Sequence, residues 1–140
     1  MSMEKFANHI IAVANEKQLP ITNLQLQKIM YFVLRNAKKY VGFDLIREVY
    51  SEPFLVWRYG PVVESQYSRF YSYGSSPIIE EYSKESEYEG FNSLIEYYLQ
   101  VNVFKMVNAS HTHNFWKKHE SDITFGRSDV PYPLEEVVRD

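Results

Sequence analysis

Residues 21–43, ITNLQLQKIMYFVLRNAKKYVGF, limit the possible folds more than any other stretch. Leu24, Leu26, Ile29, Met30, Tyr31, Phe32, Val33 and Leu34 fall on nearly every side of a helical wheel. A helix that is apolar all round must be covered all round, so this one belongs at the centre with the rest of the chain built about it. Its start is well marked. Thr22 can cap it, Gln25 stands at the reciprocal capping-box position, and Ile21 before the cap can meet Leu26 after it. Lys38 and Lys39 suit its negative end, and Gly42 suits its stop.

The flanking segments supply the cover. Met3, Phe6, Ala7, Ile10, Val13 and Ala14 predict an amphipathic helix over 3–17, broken before Pro20. PFLVW, residues 53–57, is short, apolar and bounded by a proline, which predicts a strand. Gly60-Pro61 then has the form of a helix start, with Gly60 as cap and Pro61 in the first turn. On that reading Val63, Tyr67, Phe70 and Tyr71 share one face of a helix ending near Ser72. Ile78-Ile79 is a short strand or a loop anchor, and the Glu-rich stretch 80–89 is solvated. Phe91, Leu94, Ile95 and Tyr98 predict a helix reaching Gln100. Asn102 can cap another that carries Phe104, Met106 and Val107. A short helix over Trp116, a strand at 123–125, a turn-rich GRSDVPYP linker and a last helix at Leu134, Val137 and Val138 complete the chain. The expected fold is mainly α (α+β): a single helical domain, 1–140, around a buried central helix with a few short strands.

Composition narrows the function. With no cysteine, disulfides, thiolate nucleophiles and Cys-based zinc sites are excluded. The net charge of −3 gives no overall footprint for duplex DNA, although residues 1–47 hold seven Lys/Arg against three Asp/Glu. No apolar run approaches the roughly 20 residues of a membrane span, and no signal-peptide layout opens the chain, so a cytoplasmic protein with no membrane partner is expected. Twelve Tyr and nine Phe are an aromatic surplus. Most must be core, and any surplus on one surface would mark a protein partner.

Candidate chemistry is thin. His111, His113 and His119 lack zinc-type spacing, so no metal or other cofactor is expected. His111 is expected to be buried and hydrogen-bonded, with His113 and His119 at the surface. Ser110, His111 and Asp122 can be written as a triad, but neighbours in sequence rarely face one another for proton transfer and no G-x-S-x-G elbow is present. The chain is therefore expected not to be an enzyme. Lys28, Arg35, Lys38 and Lys39 form the alternative: a regulator of a phage or mobile element that touches nucleic acid through basic N-terminal helices.

Three segments carry a resemblance: ITNLQLQKIMYFVL (21–34), FLVWRYGPVVESQYSRF (54–70) and SHTHNFWKKH (110–119). In this order they resemble the Panacea family of phage-associated proteins, which includes GepA-like and SocA-like members. Over about 3–120 the matching residues are Leu26, Lys28, Tyr31, Trp57, Tyr59, Gly60, Pro61, Val62, Tyr67, His111 and Trp116. The sequence departs from the family pattern at His113, where a Glu is usual, and at Phe115, where a Pro is usual. The resemblance implies an antitoxin-like module that neutralises a cognate toxin, encoded by an adjacent gene, by direct contact. It implies no catalytic residues, makes nucleic acid a poor fit as partner, and is compatible with a homo-oligomer. Arg58, Tyr59, Tyr67, Tyr71 and Trp116 are the candidate partner-binding residues. Leu26, Lys28, Tyr31, Trp57, Gly60, Pro61, Val62 and His111 are the motif residues expected to hold the fold.

Overall fold

The computed structural model describes residues 1–138. Helix α1 spans Met3–Glu16 and α2 spans Asn23–Asn36. Two short helices follow, α3 (Lys38–Val41) and α4 (Phe43–Val49). A hairpin of β1 (Leu55–Trp57) and β2 (Gly60–Val62) leads into α5 (Glu64–Arg69). A 3-10 turn over Ser86–Phe91 runs into α6 (Asn92–Leu99), and α7 (Val103–Ser110), α8 (Asn114–His119) and α9 (Leu134–Val137) complete the order. The fold is mainly α, as expected.

Helix α2 is the axis. It packs against α1, α5, α6, α7, α9 and β2. Every residue from Leu26 to Leu34 is buried. Each large apolar side chain buried in this way contributes about 1.5–3 kcal/mol. The predicted capping box is present: Gln25 N–H donates to Thr22 Oγ1, and Thr22 N–H donates to Gln25 Oε1. Three polar residues of α2, Asn23, Gln27 and Lys28, are buried too. Asn23 Nδ2 donates to Tyr67 O at 3.0 Å, Gln27 Oε1 accepts from Val63 N–H at 2.9 Å, and Lys28 Nζ donates to Pro61 O at 2.7 Å. This polar stripe stitches the hairpin and α5 to the central helix.

The structure corrects several expectations. The central helix stops at Asn36; Lys38 and Lys39 belong to α3, and Gly42 separates α3 from α4. Helix α4, whose buried Ile46 and Val49 are three apart, is too short for its periodicity to show in sequence. Gly60 and Pro61 do not start a helix. They form β2, which pairs antiparallel with β1 in the register Leu55↔Val62, Val56↔Pro61, Trp57↔Gly60. Helix α5 begins only at Glu64, with Val63 before it. Residues 123–125 are no strand: Thr124 and Arg127 close a tight turn. The GRSDVPYP segment runs along the free side of β1, where Val56 N–H donates to Val130 O and Tyr132 N–H to Phe54 O. The Glu-rich stretch is partly anchored, because Tyr88 is buried against Phe6 and Phe91. Ile78 is a loop anchor, its N–H donating to Ile21 O.

Gly60 is required by two constraints at once. Its φ is 102°, and a Cβ there would collide with Ser110 Oγ and lie 3.2 Å from Lys28 Cε. Gly60→Ala is therefore expected to cost about 2–4 kcal/mol, combining backbone strain with overpacking. Urea unfolding measures it. Adding Ser110→Ala, which removes the nearest colliding atom, should recover part of the loss.

Candidate functional site

The β1–β2 turn projects two side chains outward, Arg58 and Tyr59, the latter 52% exposed. Its backbone is held from beneath. Trp116 Nε1 donates to Trp57 O at 2.9 Å, His111 Nε2 faces Arg58 O at 2.9 Å, and Lys28 Nζ takes Pro61 O. A carbonyl can only accept, so Nε2 of His111 carries the proton. His111 also stacks on Trp116, ring centroids 3.9 Å apart. The three segments that carry the family resemblance thus converge on one turn.

A second turn lies beside it. Thr124 and Arg127 exchange backbone hydrogen bonds at 2.8 and 3.1 Å, and Arg58 N–H donates to Gly126 O at 2.9 Å. At its tip Phe125 is fully exposed with φ 52°, a left-handed conformation that is uncommon for a bulky residue. The Arg127 guanidinium lies 4.4 Å over the Trp57 ring and 5.6 Å over Tyr67.

The Arg58–Tyr59 ridge separates two clefts of about 510 Å³ each. The first is walled by Trp57, Tyr67, Phe125 and Arg127; the second by Phe104, Val107, His111 and Trp116. Tyr67 meets Trp57 edge-on at 5.1 Å and Tyr71 at 5.8 Å, and Tyr71 is 63% exposed. Phe104 is 58% exposed. Arg58, Tyr59, Tyr67 and Tyr71, singled out from sequence, therefore stand together. Trp116 is 6% exposed and supports the turn from below. Sequence reasoning missed Phe125, Arg127 and Phe104. Gly126 in the F-G-R step was the available turn signal for the first two; Phe104 has the spacing of a core residue.

His111 and His113 are both partly exposed, against the expectation of one buried and one at the surface. His113, expected at the surface, packs on Phe32 and shares a hydrogen bond between its Nδ1 and the Tyr31 hydroxyl at 2.7 Å. Burial, with a smaller push from Arg35, lowers its pKa from 6.5 to about 4. His111, expected to be buried, is partly exposed in the second cleft. His119 pairs with Asp122 at 2.9 Å. Ser110 is buried and its Oγ donates to Val107 O, so Ser110, His111 and Asp122 do not assemble. Among the described residues no three His, Asp or Glu side chains converge.

The basic N-terminal set is also dispersed. Lys28 is buried, and burial lowers its pKa from 10.5 to about 7. Arg35 Nη1 donates to Glu136 O and Val137 O at 3.3 and 2.9 Å, clasping α9. Lys38 and Lys39 alone of the four are exposed.

A family model described as "Antitoxin SocA-like, Panacea domain" matches residues 26–117, well over half of the chain. The chain belongs to this Panacea domain family. No curated protein and no solved structure matches it. The Panacea match takes in most of α2, the hairpin, α7 and most of α8; Phe125 and Arg127 lie beyond it. No helix among the described residues is long and apolar enough to cross a membrane.

Three groups shifted by burial, Lys28, Tyr31 and His113, set a pH dependence. The folded state keeps Lys28 near neutral while the unfolded chain holds it charged up to 10.5, so the unfolded state binds more protons between about 7 and 10.5. Stability should rise with pH in that window, by about 1.4 kcal/mol per unit at most. Above pH 10 the buried Tyr31, raised to about 12, opposes the gain. His113 adds a loss of stability as pH falls from 6.5 towards 4. Urea unfolding from pH 6.5 to 9.5 should show the rise, and Lys28→Met should flatten it.

Proposed function

We propose that this Panacea domain protein is an antitoxin that neutralises a cognate toxin by direct contact, using the ridge and two clefts around Arg58 and Tyr59. The toxin is the product of an adjacent gene, and the pair works in the cytoplasm of a cell that carries a prophage or related defence locus. The observation that carries this reading is the placement of exposed aromatics. Tyr59, Tyr71, Phe104 and Phe125 are all more than half exposed, and all stand about one ridge whose backbone is fixed by buried donors. Rigid, exposed aromatics beside a formed cleft are the usual anchors of protein interfaces, because they desolvate large areas at small cost in side-chain entropy. Family membership supplies the kind of partner.

The nucleic-acid alternative has less support. Two of its four cations are engaged inside the protein.

Co-expression with the neighbouring open reading frame tests the proposal. That frame should arrest growth alone and be silenced by this protein. Tyr59→Ala combined with Phe125→Ala should weaken binding about tenfold to a hundredfold while leaving the unfolding midpoint nearly unchanged. A frame that is harmless alone, or that stays toxic beside the wild-type protein, refutes the reading.

A further inference from the structure

The first cleft has a chemical character that goes beyond a generic contact surface. Its walls carry two arginines, Arg58 and Arg127, and no acidic side chain. Neither arginine makes an ion pair with any described residue. The polar groups on the cleft floor are already satisfied. Gln27 accepts from Val63 N–H and donates to Asn23 Oδ1, and Trp57 Nε1 donates to Ser128 O at 3.1 Å. What remains for a ligand is the two guanidinium groups and the hydroxyls of Tyr59 and Tyr67. A guanidinium is a donor fork with no acceptor, and it matches a carboxylate in geometry and charge. The second cleft differs, since Glu120 lies on its wall.

Between the guanidiniums the surface is aromatic. The Arg127 guanidinium carbon lies 4.4 Å from the centre of the Trp57 ring, a cation–π contact that keeps this charge at the cleft wall. Tyr67 closes another side of Trp57 edge-on. That arrangement suits a carboxylate with an apolar neighbour. It suits a nucleic-acid base poorly, because the Trp57 face available for stacking is covered. The charge also fits: a chain of net charge −3 presents here a local positive cleft without acidic counter-charge.

We propose that the first cleft receives an acidic segment of the partner, in which Asp or Glu stands beside an aromatic or large aliphatic side chain. The carboxylate pairs with Arg58 and Arg127, and the apolar neighbour lies between Tyr59, Tyr67 and Phe125. This rests on the toxin-binding reading above and adds the chemistry of what is bound.

The protein has two tryptophans, one on each cleft, so its two indole N–H resonances report the clefts separately. The probe is a synthetic peptide alternating Glu with Phe and Leu, titrated into labelled full-length protein. The controls are the same peptide with Gln for Glu, and oligothymidylate. The Glu peptide should shift the Trp57 resonance saturably and Trp116 less, with affinity that falls as salt rises. Arg127→Gln and Arg58→Gln should each weaken it about tenfold or more. Equal binding of the Gln peptide, preferential binding of oligothymidylate, or no saturable shift of Trp57 overturns the inference. The toxin assay separates this from the broader reading. If the Arg58→Gln, Arg127→Gln double variant still neutralises the toxin fully, direct contact stands and the acidic segment falls. If the wild-type protein binds the Glu peptide as described but silences no toxin, the cleft chemistry stands and the antitoxin reading falls.

Discussion

The bond from Lys28 Nζ to Pro61 O, 2.7 Å long and fully buried, is the joint on which the β1–β2 turn and the contact face proposed for it depend. A hairpin with three residues per strand has little stability of its own. Here it is fixed by donors from outside itself: Lys28 from α2, His111 and Trp116 from the α7–α8 region. The Lys28 and Trp116 bonds are buried, and removing such a donor leaves its carbonyl unsatisfied at about 1–3 kcal/mol, so each of these two clamps is a large fraction of what the turn can lose. Gly60 completes the joint by allowing Lys28 and Ser110 to approach closely.

This arrangement separates holding from touching. Lys28, Gly60, Pro61, Val62 and Trp116 are buried and fix the backbone; Arg58, Tyr59, Tyr71, Phe104 and Phe125 are exposed and present the surface. The supporting groups lie on α2, β2, α7 and α8, within or at the edge of the family match, whereas the Phe125 turn lies beyond it. A scaffold of this kind can keep its turn while its exposed side chains change, which suits the proposed role of binding another protein.

The helical frame was legible in the sequence where periodicity was long. Helices α1 and α2 emerge within a residue or two of their predicted starts, and the Thr22–Gln25 box stands as read. The first strand of the hairpin was legible in PFLVW, but the second was not. Gly-Pro is a helix start by local rules, and only the tertiary approach of Ser110 and Lys28 to Gly60 shows why a glycine with positive φ is needed there. The same blindness hid the polar contacts of α2, because Asn23, Gln27 and Lys28 look like a solvent face until the chain that covers them is placed. The burial of His111 and His113 was misread for a related reason: at a helix junction it depends on which neighbour arrives, and for His113 that neighbour is Tyr31, 82 residues earlier. The site was half legible. Arg58, Tyr59, Tyr67 and Tyr71 stand in one motif, whereas Phe125 and Arg127 join them only through the pairing of Arg58 with Gly126.

The most direct test is amide hydrogen exchange on the protein alone and with the neighbouring gene's product, the toxin proposed as its partner. The account predicts new protection at residues 58–60 and 124–127, together with the exposed side of α7, and little change in the already protected α2. Protection confined to α3 and α6, around the exposed Tyr40 and Tyr97, with unchanged exchange at 58–60 and 124–127, would contradict it.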